Sequence, residues 1–169
     1  GGLLIGTGAG DDAVLFVNEF TPAGESLAKL FPTRVRNQVS VHLGDGDDEL
    51  DLRNLFAGGM IRVFDVSGIA DISLHNAKIT GKVDIDTGSG ADEVSLKFVQ
   101  GTQLTISTHA GADNVQLENC RFQSIDVKLG EELDTLAIQR SISRQYCYID
   151  GGADGGTRHP VRPVRHPRR

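Results

Sequence analysis

The ten-residue stretch TGSGADEVSL, Thr87 to Leu96, decides the fold because it recurs. TGAGDDAVLF (Thr7 to Phe16), LGDGDDELDL (Leu43 to Leu52), THAGADNVQL (Thr108 to Leu117) and LGEELDTLAI (Leu129 to Ile138) align with it without gaps, and a degenerate copy, DVSGIADISL, runs from Asp65 to Leu74. Gly46, Gly68, Gly90 and Gly111 mark the turn at spacings of 22, 22 and 21 residues, and Glu132 takes the glycine slot 21 residues later. A sustained period of this length marks a stacked repeat.

Each turn sits between alternating apolar pairs. Val83 and Ile85 lead into one turn and Val94 and Leu96 leave it; Leu104 and Ile106, then Val115 and Leu117, do the same in the next copy. Period-two alternation predicts strands with one buried face. Asn18, Asn54, Asn76 and Asn119 close the second pair, and Asn tolerates the left-handed backbone of a corner. Ile79, Val99, Cys120 and Phe122 then supply a third inward stretch. Three short strands and three corners per 21–22 residues predict an all-β chain, a right-handed parallel β-helix (β-solenoid) of about six coils. Coils stacked ~4.8 Å apart bury an apolar side that one coil alone leaves exposed. The left-handed triangular helix, with its shorter period, fits badly, and neither a β-sandwich nor a solenoid with outer helices predicts identical turns at a fixed interval. The expected core runs from Ile5 and Val14 through Val39, Val41, Leu50, Leu52, Ile72 and Leu74 to Val127 and Leu136.

One domain is expected over residues 1–156. The interval from Gly10 to Gly46 is 36 residues, and its surplus lies in Glu19 to Arg36. There Thr21 as N-cap, Pro22 at the first helical position and Leu27, Leu30 and Phe31 on one face predict a short helix or ordered loop folded out of the first coil, the place where a solenoid carries a cap or a binding surface, with the cap the plainer reading. Residues 157–169 abandon the repeat for five Arg and a Pro spacing that excludes helix and central strand, which predicts a flexible basic tail. The opening Gly1-Gly2, without an initiator Met, suits a segment of a larger protein.

Of 169 residues 21 are Gly, well above the usual ~7%, as a turn-rich repeat requires. The formal net charge is -6, and residues 1–156, with 12 basic and 23 acidic side chains, carry -11. Such a body repels nucleic acid and anionic membrane and attracts cations, and no apolar run reaches the ~18 residues of a membrane-spanning helix. Nucleic acid and membrane insertion are therefore not expected as partners.

From the second Gly through the apolar position, TGSGADEVS and LGDGDDELD resemble the hemolysin-type, repeats-in-toxin family, whose G-G-x-G-x-D-x-U-x nonapeptides bind calcium in a parallel β-roll. Here Thr or Leu replaces the first Gly, and one such turn recurs per coil instead of two, so what the resemblance implies is a related turn rather than the same roll. Long secreted bacterial surface proteins with one G-x-G-x-D turn per β-helical coil look more similar.

A cation also has a purely physical argument. Asp12, Asp48, Asp92, Asp113 and Asp134 occupy equivalent slots, with Ala70 interrupting the series. Asp92, Asp113 and Asp134, stacked ~5 Å apart, cannot all remain ionised without compensation. The five are candidate ligands for Ca²⁺, which takes six to eight oxygens; the alternative fate is an Asp bonded to its own backbone in a structural turn. Both readings stay open.

A second hypothesis is enzymatic. Lys82, Asp84 and Asp86, then Thr105 and Ser107, then Asp126 and Lys128 fall on the outward face of successive lead-in strands. On such a face β-helical polysaccharide lyases and glycoside hydrolases place their acids and bases, which would make Asp84, Asp86, Asp126 and Lys128 the catalytic candidates. The chain has no Trp and two Tyr, few for a sugar platform, and His42 and His109 sit at unrelated offsets. A Thr ladder of the ice-binding type is broken at Leu43, Asp65 and Leu129. Cys120 and Cys147, 27 residues apart, fall on different corners and demand no disulfide. The reading favoured by these features is a non-catalytic structural or adhesive repeat segment of a larger extracellular or cell-surface bacterial protein, calcium-stabilised if the turns bind the ion. Its partners would be calcium, a polysaccharide or other cell-surface component, and further copies of itself stacked end to end.

Overall fold

The fold is that of a computed structural model, which describes residues 2–16 and 33–152. Fourteen strands wind through these residues, and among them there is no helix. The lead-in face stacks β1 (Leu3–Ala9), β4 (Val39–Asp45), β6 (Ile61–Phe64), β8 (Val83–Asp86), β10 (Gln103–Ser107) and the later parts of β12 (Arg121–Lys128) and β14 (Ile142–Asp150). Past the turn lie β2 (Ala13–Phe16), the first parts of β5 (Asp48–Ala57), β7 (Ala70–Ile79) and β9 (Glu93–Gln100), then β11 (Asn114–Glu118) and β13 (Thr135–Gln139). The third face stacks β3 (Thr33–Val35) with the ends of β5, β7 and β9 and the beginnings of β12 and β14.

Every pairing is parallel and joins equivalent residues of neighbouring coils: Val94 pairs Val115, Leu96 pairs Leu117, and Ile85 pairs Ile106. The chain is thus a parallel β-solenoid with about five full turns, close to the six expected. The first winding also contributes β1, β2 and β3. Residues 33–35, at the end of the expected excursion, belong to the solenoid as β3. The rest of the excursion, 19–32, lies outside the described residues, as do Asn18 and the basic tail, 157–169.

The interior is a column of aliphatic side chains. Val41, Leu50, Ile72, Leu74, Val83, Val94, Leu96, Leu104, Ile106, Val115 and Val127 are all buried, together with the expected third-face residues Ile79, Val99, Cys120 and Phe122. Ile5 and Leu136, on the first and last windings, are only partly buried. Cys120 and Cys147 are both free.

Two corners explain the repeat. At the first, the marker glycines stack so closely that a Cβ on Gly90 would lie 1.7 Å from the carbonyl oxygen of Gly68, and one on Gly111 would lie 1.6 Å from that of Gly90. Their φ angles, +149° and +138°, are also ones that L side chains rarely adopt. At the second corner Asn54, Asn76 and Asn119 hold φ of 54°, 53° and 53°, and Asn76 Nδ2 donates to Asn54 Oδ1 at 2.7 Å. Phe98 occupies that slot in the intervening coil at φ 56°, half exposed, with its ring stacked on His75 at 5.7 Å.

Gly90→Ala is expected to destabilise the fold by about 4 kcal/mol or more, because backbone must move to admit the methyl. Gly6→Ala, with nothing within 4 Å of its Cβ, should stay within about 0.5 kcal/mol of wild type in chemical denaturation. Phe98→Asn should raise the melting temperature: the left-handed backbone costs a bulky residue about 1 kcal/mol that Asn avoids, and the new amide extends the Asn stack. An unchanged or lower Tm would show that the His75 stacking outweighs the backbone strain.

Candidate functional site

The turn after the lead-in strand brings the expected aspartates together. The turns themselves are in register, with Asp45, Ser67, Ser89, Ala110 and Glu131 forming successive parallel bridges. Just beyond, the side chains of Asp48, Asp92 and Asp113 point inward and are almost completely buried. Their carboxylates reach along the axis. Asp48 Oδ1 accepts the backbone N–H of Asp12 at 2.9 Å, Asp113 Oδ1 that of Asp92 at 2.9 Å, and Asp134 Oδ1 that of Asp113 at 3.0 Å. Asp92 Oδ1 accepts from Ala70 N at 2.9 Å. Ala70 has no carboxylate to offer the coil before it, so the N–H of Asp48 goes instead to the Ile69 carbonyl at 2.8 Å.

The second oxygens fare differently. Asp92 Oδ2 accepts from the Thr87 hydroxyl, whereas the buried Oδ2 atoms of Asp48, Asp113 and Asp134 have no hydrogen-bond partner. Burial raises the Asp113 carboxyl to about 6, against the N–H of Asp92, which favours its ionised form. Burial also raises Asp92 and Asp134 above the usual carboxylate range.

Sequence reasoning missed Asp65. It stands in the slot filled by Thr87 and Thr108, is fully buried, and neither of its carboxylate oxygens has a hydrogen-bond partner. Burial raises it to about 6, and the neighbouring charges of Asp48 and Asp92 add to this. The degenerate coil is therefore a swapped one, in which the acid has moved from position 70 to position 65 across the same turn. The signal was present in the alignment, where Asp65 replaces Thr and Ala70 replaces Asp.

As a calcium shell this donor set is sparse. Each coil spends one carboxylate oxygen on a backbone N–H and leaves at most one unengaged, except at Asp65, and calcium needs six to eight oxygens. Among the described residues no group of three or more His, Cys, Asp or Glu side chains is arranged to hold a metal ion.

The outward face of the lead-in strands has the register the sequence predicted. Asp84 pairs Thr105 and Thr105 pairs Asp126; Asp86 pairs Ser107 and Ser107 pairs Lys128. Asp84 and Asp126 thus lie two rungs apart, about 10 Å. Asp84 is bound to Lys82 at 2.9 Å, and Asp86 to His109 Nε2 at 2.6 Å, a partner the sequence offsets had not suggested. Two shallow grooves lie on the other two faces, and neither includes Asp84, Asp86, Asp126 or Lys128. Thr87 and Thr108 are buried, so they form no outward Thr ladder.

The raised carboxyls have a definite pH signature. A group with a raised folded-state pKa makes the folded state bind more protons, so its stabilisation is full below the unfolded value near 4 and is lost as pH rises to about 6. Asp65 and Asp113 should each cost roughly 3 kcal/mol of stability across that window, and thermal melts at pH 4, 5, 6 and 7 should show Tm falling as pH rises. The double variant Asp65→Thr/Ala70→Asp, which restores the pattern of neighbouring coils, should flatten this dependence and raise Tm at pH 7. A profile as steep as wild type would mean that Asp65 is not a source of it.

The chain matches no protein-family model, no curated protein and no solved structure.

Proposed function

We propose that the chain is a non-catalytic structural or adhesive repeat segment of a larger extracellular bacterial protein. The observation that carries this reading is the use made of the turn carboxylates. Oδ1 atoms of Asp48, Asp92, Asp113 and Asp134 each bind the backbone of the preceding coil, so the residues with the most chemical potential are engaged in holding the rod together. The enzymatic alternative would need Asp84, Asp86, Asp126 and Lys128 in a cleft, and Asp84 and Asp86 are instead tied to Lys82 and His109. Assay of the full chain against a panel of acidic and neutral polysaccharides should release no reducing or unsaturated ends. Turnover that disappears in Asp84→Asn or Asp126→Asn would replace the scaffold reading with the lyase or hydrolase one.

Calcium stabilisation is the second reading. The unpartnered buried oxygens of Asp48, Asp65, Asp113 and Asp134 favour it, because a cation among them would compensate their desolvation. When bound, the ion would supply only that neutralisation, with turn carbonyls completing its shell. Ligand linkage then predicts a Tm that rises with Ca²⁺, falls with chelator and responds less to Mg²⁺. Melting that is indifferent to chelator at pH 7 would assign the column to protons and hydrogen bonds alone.

A further inference from the structure

The charges of the solenoid are sorted by face. Residues 33–40, 54–64, 75–83, 97–112, 119–125 and 139–149 contain no Asp or Glu. These stretches include the whole third face and the corners beside it. The acids of the described chain fall instead on the turn, on the lead-in face and on the face after the turn. Third-face register aligns Arg34, Phe56, Lys78, Gln100 and Arg121 as one outward column. Beside its upper part lies a groove of about 260 Å³, lined by Lys78, Gln100, Arg121 and Arg144 among others, with no carboxylate in its walls. Among the described residues Lys78, Arg121 and Arg144 form no ion pair, although the body as a whole is strongly acidic.

We propose that this stripe binds an acidic polysaccharide laid along the solenoid axis. Its cations recur at multiples of the ~4.8 Å coil spacing and so suit a linear ligand carrying anionic groups at intervals. Amides at Gln100 and Gln123 can bond hydroxyls between them, and Phe56 offers an apolar surface to sugar C–H groups. The third-face strands pair over about three residues, a strip on the order of 10 Å wide. That width admits a single polysaccharide chain, while a nucleic-acid duplex would press its remaining phosphates against the acidic faces. Bases of a single strand would need a row of stacking aromatics, and the column holds one, Phe56. Concave surfaces of one sign focus the field, so the groove attracts anions even though the net charge repels them. The stripe shares no residue with the turn carboxylates, so the inference extends the adhesive reading without depending on calcium.

The test is equilibrium binding of the full chain to polygalacturonate, dextran sulfate, neutral dextran and a single-stranded oligonucleotide at low ionic strength. Wild type should bind one or both charged polysaccharides, with the two arms separating carboxylate from sulfate preference, and binding should weaken as salt rises. Lys78→Ala/Arg121→Ala/Arg144→Ala should lose about tenfold in affinity with Tm unchanged, while Arg62→Ala on the lead-in face should keep wild-type affinity. Should the triple variant melt early, Arg121→Gln alone carries the same comparison with a smaller loss. No binding to either charged polysaccharide, equal binding by the variant, or tighter binding to the oligonucleotide would overturn the assignment. Any of these results would leave the scaffold reading standing, because that reading rests on the turn and not on this face.

Discussion

At Gly68, Gly90 and Gly111 a carbonyl oxygen from the coil below occupies the space in which any other residue would carry its Cβ. This close approach sets the height of the turn and, through it, the registration of everything that follows. A turn that stood away from its neighbour would break the bridges from Asp45 through Glu131 and tilt the strands on both sides out of pairing. The aliphatic column and the aspartate column are both consequences of that registration: each places like side chains one above another because the backbone allows no other offset. For the aliphatic residues stacking is favourable, since Leu on Leu fills the coil without voids. For the aspartates it is costly, and the cost is met by reaching along the axis to a backbone donor.

That difference accounts for what could be read in advance. Period, strand alternation, turn glycines and inward residues all depend on local steric and hydrophobic rules that operate within one coil, so the alignment alone located Val94 over Val115 and Leu96 over Leu117. The equivalence of Asp12, Asp48, Asp92, Asp113 and Asp134 was legible for the same reason. The direction of their side chains was not, because it depends on which donor of the adjacent coil lacks an acceptor. Asp65 was the most instructive case. In the linear alignment it is a mismatch in a poor copy, and only the closed turn shows that position 65 and position 70 face one interior space, so an acid moved from one to the other remains in the same column.

The sorting of charge around the axis was hidden for a related reason. Along the chain, acidic and basic residues alternate at intervals shorter than one coil, and averaging over residues 1–156 yields an acidic sequence with a basic end. Winding the chain converts that alternation into stripes. Lys78 and Arg121, 43 residues apart, become members of one column, and Asp71, seven residues from Lys78, passes to another face. Net charge therefore describes the protein poorly as a surface; its angular distribution around the rod is the quantity a ligand meets.

The aspartate bonds also have a direction. In each case the N–H belongs to the earlier coil and the carboxylate to the later one, from Asp12 and Asp48 to Asp113 and Asp134. The turn donor of each coil is thus closed by the winding that follows it in sequence, so every winding but the last is lidded by its successor at this corner, and the asymmetry gives the rod a polarity that its parallel strands share.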